Sequence, residues 1–331
     1  MYQTWKRNPG RPMIAPVRRH AMSWFDKLFI LGLPLVPKGI MRRFSRRYIA
    51  GEDRPAALRQ GASLQKLGYR VTYDVLGEAV SNRQEVQEAV QEYHHLLDDL
   101  AQNGLERNVS LKPTQMGLLI DEDLCYETVA DICSKAESMD AFVRFEMEDA
   151  PTVDGTLRVF HRLRRQFPQT IGCVLQSRLF RTLEDVQALL QEDAPLNVRL
   201  VKGIYLEPPE IAHTQGEPIN QAFLQAQLAL LQGGAFLGAA THDEKLIEAL
   251  QKALQDHPEW KPRAEVQMLL GVREELRSQV RDMGIPVRVY VPYGEHWLPY
   301  VTRRMRKNPR LARLALIGLF SKREKEQSEP V

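Results

Sequence analysis

The chain has 331 residues, 44% of them hydrophobic and 26% charged, which excludes a disordered, collagen-like or multi-span membrane protein. Its 45 Lys and Arg side chains nearly balance 42 Asp and Glu, but residues 1–50 carry eleven basic side chains and one acid, Asp26, so a basic head precedes a mildly acidic body. Three cysteines without a Cys-x-x-Cys spacing exclude a disulfide framework and a cysteine zinc site, and they indicate a reducing compartment.

The basic head contains the longest apolar stretch of the chain, residues 25–36, which two charged residues and Pro34 interrupt. Because a helix needs about 20 apolar residues to cross a bilayer, this stretch is too short to span one. No small-residue cleavage site follows it, so we expect the head to be retained. Residues 25–48 indicate a short helix with apolar and arginine-rich sides, and residues 1–67 are predicted to form a basic N-terminal helical arm. An arginine-rich, acid-poor start also resembles a transit peptide, which leaves organellar import open.

From residue 68 onward, short runs rich in Val, Ile or Leu alternate with longer segments of helical spacing. Eight such units predict a parallel sheet buried on both faces, and eight is the number of units in an α/β fold of the (β/α)8 TIM-type barrel class. The alternative, a doubly wound open sheet, is expected to carry G-x-G-x-x-G after its first strand, where this chain reads LGEAVSN. The predicted strands are residues 69–75, 108–112, 142–147, 171–176, 198–202, 235–240, 264–269 and 286–291.

The barrel is predicted to cover residues 68–310, and residues 311–331 to form a helix end and a polar tail that is disordered from Ser321. In such a barrel the active site lies at the carboxyl ends of the strands, so polar residues there are candidates. Each could instead form a salt bridge or lie solvated at the rim. The candidates are Asp74, Glu78, Lys112, Glu146, Glu148, Asp149, Gln176, Arg199, Lys202, Tyr205, Thr241, His242, Asp243, Gln267, Tyr290 and Tyr293.

The last unit, VYVPYGEHWLPYVTRRM, holds the most informative pattern. Tyr300, Arg303 and Arg304 stand at i, i+3 and i+4 of the predicted helix, so they share one face. Two adjacent guanidinium groups at a barrel mouth could bind both oxygens of a carboxylate or phosphate. The alternative is a solvated basic helix end, where arginine suits the helix dipole. The aromatic residues at the end of the preceding strand favour a substrate clamp.

This unit resembles the eighth strand and helix of the proline dehydrogenase family, FAD enzymes that oxidise L-proline. Further segments resemble that family in the same order, over roughly residues 68–310: LKPTQMGL for the second strand, VLQSRL for the fourth, VRLVKGIYLE for the fifth, ATHDEKL for the sixth and EVQMLLGV for the seventh. The head segment GLPLVPKGIMRRFSRRYIAGE is similar to the helical extension of the small, single-function bacterial members.

The resemblance implies a substrate site and a cofactor site. Arg303 and Arg304 would bind the proline carboxylate, and Lys112 would lie near it, paired with the third-strand acid Glu146. Arg199 would lie near the reacting flavin nitrogen. Lys112, Glu146 and Arg199 are therefore the candidate catalytic residues, and no metal is expected. The proline ring would contact Tyr205, Leu269, Tyr290 and Tyr300, and FAD would be bound by Gln176, Arg199, Val201, Lys202, Gly203, Thr241 and His242.

The implied reaction moves a hydride from the ring carbon beside nitrogen to flavin N5, gives 1-pyrroline-5-carboxylate, and begins proline catabolism. It needs no strong base. The ring amine must be neutral to release the hydride, and a site built around cations disfavours its protonation. The electrons are then expected to pass to a membrane quinone.

Four positions depart from the family pattern. Glu146 stands where aspartate is commonest, Ile204 where alanine is usual, Leu206 in place of a frequent tryptophan, and Lys307 where an acid often supports the site. None removes a group that the chemistry requires. Together they leave catalytic efficiency and the substrate open. The alternative substrate is 4-hydroxyproline, which Tyr290 disfavours because its ring would crowd the added hydroxyl.

Two other functions remain possible: a flavin-free barrel that clamps a phosphorylated substrate, and a catalytically weak barrel that binds a membrane surface. If the chain is a flavoenzyme that reduces a quinone, its electron acceptor is dissolved in lipid. This favours the interpretation of the basic arm as a membrane contact. The chain is accordingly expected to be cytoplasmic, peripheral on the inner face of the membrane, and without a nucleic-acid partner. Its oligomeric state and physiological acceptor stay open.

Overall fold

The structure, a computed structural model, describes residues 38–77 and 79–307, without the side chains of residues 38, 40, 43, 44 and 303–307. The predicted arm before residue 38, the predicted tail and the candidate Glu78 therefore lie outside the described residues. The chain divides into two units, Lys38–Val301 and Met1–Pro37 with Thr302–Val331. The first contains all eight strands; of the second, Thr302 to Lys307 are described, as the end of the last helix.

Eight parallel strands close into a barrel in chain order, and β1 pairs with β8, so the predicted (β/α)8 fold is confirmed. Each described strand is separated from the next by at least one helix. The strands are β1 (Arg70–Val75), β2 (Asn108–Leu111), β3 (Phe142–Phe145), β4 (Ile171–Gln176), β5 (Asn197–Val201), β6 (Phe236–Ala240), β7 (Ala264–Leu269) and β8 (Val287–Tyr293).

Helices surround the barrel, and two of them precede β1. The helix immediately before β1 packs against both β1 and β8, where it covers the seam between the first and last strands. The α-helices are α1 (Lys38–Ser45), α2 (Arg54–Lys66), α3 (Arg83–Gln102), α4 (Glu122–Ser138), α5 (Ala150–Gln166), α6 (Thr182–Leu190), α7 (Gly216–Gln232), α8 (Glu244–Asp256), α9 (Glu274–Asp282) and α10 (Trp297–Lys307), and a 3-10 helix covers Pro258–Arg263.

The helices form where apolar residues recur at helical spacing and a polar residue caps the first turn. In α3, Asn82 accepts a hydrogen bond from the Glu85 backbone N–H at 3.0 Å, while the Glu85 carboxylate accepts one from the Ser81 N–H at 2.7 Å. Such caps satisfy N–H groups that the first helical turn leaves without an acceptor. The face that α3 buries consists of Val86, Ala89, Val90, Tyr93, Leu96, Leu97 and Leu100.

The interior of the barrel is unusually polar, because the strands direct several charged and polar side chains toward its centre. Ser110 is aligned with Arg144 across β2 and β3, and Arg199 with Gly238 across β5 and β6. A side chain on Gly238 would collide with the Gln267 amide, and one on Gly172 with the Arg144 guanidinium. The two glycines therefore provide the space that these long polar side chains occupy.

The strands β4 and β7 have the predicted bounds, and the other six differ from the predicted bounds by one or two residues. Lys112 follows β2 rather than ending it, Glu146 and Met147 follow β3 rather than belonging to it, and β8 runs on to Tyr293. The extension past residue 291 is stabilised by neighbouring backbone: Pro292 and Tyr293 carbonyls accept hydrogen bonds from the N–H groups of Ala50 and Leu76, at 2.9 and 2.7 Å. Within the described residues, the helices are all too short or too polar to cross a bilayer.

Candidate active site

The barrel brings the predicted site residues to one end, at or near the carboxyl ends of seven strands. Lys112 and Glu146 follow β2 and β3, and Thr241 follows β6. Tyr290 lies within β8, three residues before the last residue of the strand, Tyr293. The other residues at this end are Gln176 in β4, Val201 in β5 with Lys202 and Gly203 after it, His242 after Thr241, and Leu269 in β7.

Lys112 forms an ion pair with Asp74, which corrects the predicted pairing with Glu146. Lys112 Nζ donates to Asp74 Oδ1 at 2.8 Å, and the Asp74 carboxylate is almost fully buried. Burial by itself lowers the pKa of Lys112, but the Asp74 and Glu146 charges outweigh it and the pKa is raised, so the ammonium stays charged. The register explains the partner: Asp74 is aligned with Ser110, and Lys112 stands two residues after Ser110, directly beyond the end of β2.

Tyr290 contributes a phenol beside the same carboxylate. Burial, and then the negative charges of Asp74 and Glu146, raise the pKa of Tyr290 well above its ordinary value. The phenol therefore remains protonated, and it lies close enough to Asp74 to lower the pKa of that carboxyl, which burial raises. The predicted ring-contacting Tyr290 and the predicted carboxylate-side Lys112 thus both lie beside Asp74.

Arg199 lies at the centre of a second buried cluster. Its guanidinium donates to Glu146 through Nη1, to Gln267 through Nε, and to Ser110 Oγ through Nη2 at 3.1 Å. It also lies over the Tyr290 ring, 5.2 Å from the ring centroid. Because all three guanidinium nitrogens donate hydrogen bonds and only 4% of the residue is exposed, Arg199 is held in one orientation in the barrel.

A chain of hydrogen bonds supports Arg199 from below. Gln267 Nε2 donates to Glu265 at 2.7 Å, and Glu265 accepts from Arg288 at 2.6 Å and Arg70 at 3.0 Å. Burial would raise the pKa of Glu265, but the Arg288 charge and these hydrogen bonds lower it. The barrel interior therefore holds alternating charges that compensate one another.

The loops after β4, β5 and β6 form the predicted cofactor side. Gln176 Nε2 donates to the Glu148 carbonyl at 2.6 Å, and Lys202 pairs with Asp243 at 2.7 Å. Gly203 has φ +95°, and a Cβ there would lie 2.8 Å from the Gln176 side-chain oxygen. This position therefore needs glycine both for its backbone conformation and for its close approach to Gln176. Such an open backbone beside a strand end is suited to the close approach of a nucleotide cofactor.

The Thr241-His242 pair connects the β6 end to the β7 end. Thr241 Oγ1 accepts from the Asp243 N–H at 3.1 Å, and His242 Nε2 accepts from the Leu269 N–H at 3.1 Å. The His242 carbonyl accepts from Arg273 at 3.0 Å. The histidine thus fixes the backbone of Leu269, the residue predicted to contact the substrate ring.

For the remaining predicted residues, the structure gives the position in the fold and, for some of them, the exposure of the side chain. Tyr205 lies partly exposed in the loop after β5, and Tyr300 is buried in α10. Arg303 and Arg304 belong to α10, and their side chains lie outside the described part of the chain. Leu206, which stands where the family often has tryptophan, is 93% exposed.

Three functional candidates received no role from the sequence. Asp74 and Gln267 appeared only among the polar residues at strand ends, and Ser110 did not appear. Ser110 lies in β2, two residues before Lys112, so the two side chains point to the same face of the extended chain. This two-residue spacing is the signal that could have identified Ser110. Glu148 also lies here: its carboxylate accepts from the Thr114 N–H and hydroxyl at 2.9 and 3.0 Å, which ties the loop after β3 to the loop after β2.

Comparison with known proteins identifies the family of this chain. The family model "Proline dehydrogenase" matches residues 57–312. Proline dehydrogenase of Deinococcus radiodurans is 33% identical over 284 residues, which are 85% of this chain and 91% of that protein. Proline dehydrogenase 2 of Bacillus subtilis (strain 168) is 32% identical over 276 residues, 83% of this chain and 90% of the relative.

A solved structure shares the fold. Proline utilization A from Bdellovibrio bacteriovorus, in a crystal structure inactivated by N-propargylglycine, superimposes with a TM-score of 0.76 at 22% identity. The match covers 85% of this chain and 36% of that longer chain. Because the family model covers most of the chain and two bacterial relatives exceed 30% identity over most of their length, the chain belongs to the proline dehydrogenase family, whose members are oxidoreductases.

Proposed function

We propose that this chain oxidises L-proline to 1-pyrroline-5-carboxylate with FAD as the hydride acceptor, and that the electrons pass on to a quinone. The observation that carries the proposal is Arg199, buried and fixed by Glu146, Gln267 and Ser110 at the end of the barrel where the family motifs meet. Family membership and the names of the relatives support the same reaction.

The charges at this end of the barrel support a separate binding site for the substrate carboxylate. Lys112 is compensated by Asp74 and Arg199 by Glu146, so these four groups contribute no net charge. A proline carboxylate would need further cations, and Arg303 and Arg304 of α10 supply two in the chain segment that the family uses for this purpose. The carboxylate clamp is therefore assigned to Arg303 and Arg304, with Lys112 as a fixed neighbouring charge.

The two cations also influence the substrate amine. A proline nitrogen that lies closer to the Lys112 ammonium and the Arg199 guanidinium than to their paired carboxylates would be less easily protonated, because a like charge disfavours the charged form. Its lone pair would then be available to assist departure of the hydride from the adjacent carbon. Tyr290, which stays protonated, would provide a ring wall and a phenol to close the pocket on that side.

The residues on the cofactor side fit a bound flavin nucleotide. Gly203 leaves open backbone at the end of β5, and Arg178 Nε is buried without an acceptor among the described residues. When bound, FAD would supply the hydride acceptor. Arg199 would lie against its reacting end as an oriented cation, while Lys202 and Thr241 would face its polar portions.

Spectroscopy with a substrate test distinguishes this proposal from its alternatives. We expect the purified chain to show a flavin absorption spectrum that bleaches when L-proline is added without oxygen and returns with a soluble quinone. A protein that stays colourless after incubation with FAD would contradict the cofactor assignment. A yellow protein that bleaches with 4-hydroxyproline and not with L-proline would contradict the substrate assignment.

Membrane contact through the basic arm is a separate part of the proposal. The arginine-rich residues 1–48 would be attracted to anionic lipid, where a lipid-soluble quinone is found. We expect the full chain to sediment with vesicles that contain phosphatidylglycerol and a chain lacking residues 1–48 to remain in the supernatant. Equal sedimentation of the two chains would contradict this role.

A further inference from the structure

A cavity of about 760 Å³ lies outside the barrel wall, between the loop before α2, the loop after β1 and the first half of α3. It is distinct from the candidate active site, since Asp74, Lys112, Arg199 and Tyr290 do not line it. Its charge is strongly negative: Arg54 is the one lysine or arginine among its described lining residues. The lining carboxylates are Glu52, Asp53, Glu85, Glu88, Glu92 and Glu295.

Several of these acids already serve the fold. Asp53 caps α2 through the Ala56 N–H at 2.8 Å, and Glu85 caps the chain before α3. Glu92 accepts from Arg54 and from the Tyr293 hydroxyl. In contrast, Glu88 and Glu295 are exposed and have no ion-pair partner among the described residues. The cavity therefore retains two negative charges without an ion-pair partner among the described residues, one on α3 and one after β8.

A buried amide points to a ligand. Gln115 lines the cavity, is 6% exposed, and its side-chain oxygen accepts no hydrogen bond within the described chain. A side chain on Gly77 would collide with this amide, so the glycine provides the space in which Gln115 lies. A buried acceptor without a donor destabilises the fold, and a bound donor would remove this cost.

The wall between the charges is apolar. Val75, Leu76, Ala79, Val80 and Ala89 line the same cavity. Separated carboxylates, an amide acceptor and an intervening aliphatic surface match a molecule with amino groups joined by methylene segments. A metal ion fits less well, because the described residues contain no group of three or more His, Cys, Asp or Glu side chains placed to hold one. We propose that this cavity binds a linear aliphatic polyamine, with ammonium groups at Glu88, Glu295 and Gln115 and methylenes on the apolar wall.

Calorimetric titration of the purified full chain with spermidine at low ionic strength tests the site. We expect saturable binding of one molecule per chain. Replacing both acids, Glu88→Gln with Glu295→Gln, should weaken binding at least roughly tenfold, and Gln115→Leu should weaken it by a similar factor, since each removes a charge-assisted contact. Glu127→Gln, at an exposed acid on α4 away from the cavity, should bind as the parent chain does.

Three results would overturn the proposal. They are an absence of saturable heat, equal affinity in the double variant and the parent chain, and equal competition by the same concentration of MgCl2, which would indicate ordinary counterion condensation. Gln115→Glu guards against misfolding of the leucine variant, because it keeps the shape of the amide and adds a charge. This variant should bind spermidine more tightly than the parent chain, and unchanged or weaker binding would count against an ammonium at this position.

Discussion

Asp74, in β1, and Lys112, directly after β2, form an ion pair that is closed off from solvent on the carboxylate side, with 2.8 Å between Oδ1 and Nζ. The pair joins two neighbouring strands at the end of the barrel that carries the candidate site. The Tyr290 phenol of β8 lies beside the same carboxylate, so residues from three neighbouring strands surround one acidic group.

Asp74→Asn is expected to destabilise the protein and to weaken proline binding. The change leaves the Lys112 ammonium without its buried counter-charge, which costs about 3–5 kcal/mol. Denaturant unfolding would measure the loss, and steady-state kinetics should show a raised KM for proline. Asp98→Asn is the matched control: its pair with Lys135 lies on the surface, so the expected cost is below about 1 kcal/mol. Equal stability of the two variants would contradict the importance of the buried pair.

Arg303→Ala and Arg304→Ala should each raise the KM for proline roughly tenfold or more, because a bidentate arginine contact with a carboxylate is lost. Flavin content should not change, as neither residue is assigned to the cofactor. The flavin absorbance per mole of protein and the proline titration together test this. Arg165→Ala, an exposed arginine at the end of α5, serves as the control. Unchanged proline affinity in both variants would refute the clamp.

Glu146→Gln should slow flavin reduction by proline roughly tenfold or more, since Arg199 loses the carboxylate that orients it and the site gains an uncompensated cation. Glu146→Asp keeps the charge and matches the commonest family residue, so most of the rate should remain. Anaerobic stopped-flow measurement of flavin bleaching separates the two variants. If the glutamine variant reduces its flavin as fast as the aspartate variant, the charge of Glu146 is not what the reaction uses.

Gly238→Ala should destabilise the protein by about 1–3 kcal/mol, because the added methyl group collides with the Gln267 amide inside the barrel. Displacement of Gln267 would also disturb Arg199, so activity should fall with stability. Gly39→Ala in α1 is the control: no atom lies within 4 Å of the added carbon, and alanine favours a helix. Thermal unfolding of both variants gives the comparison, and equal melting temperatures would contradict the packing argument.

Glu265 makes the stability of the protein depend on acid pH. Its pKa is lower in the folded chain than in the unfolded chain, so its stabilising contribution is complete above the unfolded value of about 4.3 and is lost as the pH falls through the folded value. Glu265→Gln should cost about 3–5 kcal/mol at pH 7, since Arg288 and Arg70 lose a buried counter-charge.

Below about pH 4.3 the difference between Glu265→Gln and the parent chain should shrink, because protonation removes the same charge from the parent. Urea unfolding at a series of pH values would show this convergence. A difference that stays constant down to pH 3 would mean that the glutamine variant loses packing rather than charge.

The barrel itself could be predicted from the spacing of apolar runs, because each strand is buried on both faces and each is followed by a helix with one apolar face. All eight predicted strands are present; two have the predicted bounds, and six differ by one or two residues. In β2 and β3 the difference occurs where a polar residue, Lys112 or Glu146, follows the apolar run. Whether such a residue still pairs in the sheet depends on its neighbours, which the local pattern does not contain.

The partners within the site were harder to predict than its members. Acids lie on both sides of Lys112, in β1 and after β3, and only the register between strands decides that Asp74 is its partner. Glu146 is then bound by Arg199, from a strand two positions around the barrel. Ser110 and Gln267 complete the surroundings of Arg199 through contacts that span 89 and 68 residues of sequence. Such long-range contacts leave no local signal.

The seam where β1 meets β8, covered by α2, has a consequence for the order in which the protein can assemble. During synthesis α2 and β1 leave the ribosome early, while β8, their common partner, leaves after some 210 further residues. Until then one edge of β1 is unpaired and the apolar face of α2 has only part of its final contact surface. Incomplete chains that stop before residue 287 are therefore expected to expose an unpaired, aggregation-prone strand edge and to require chaperone protection, whatever the stability of the complete barrel.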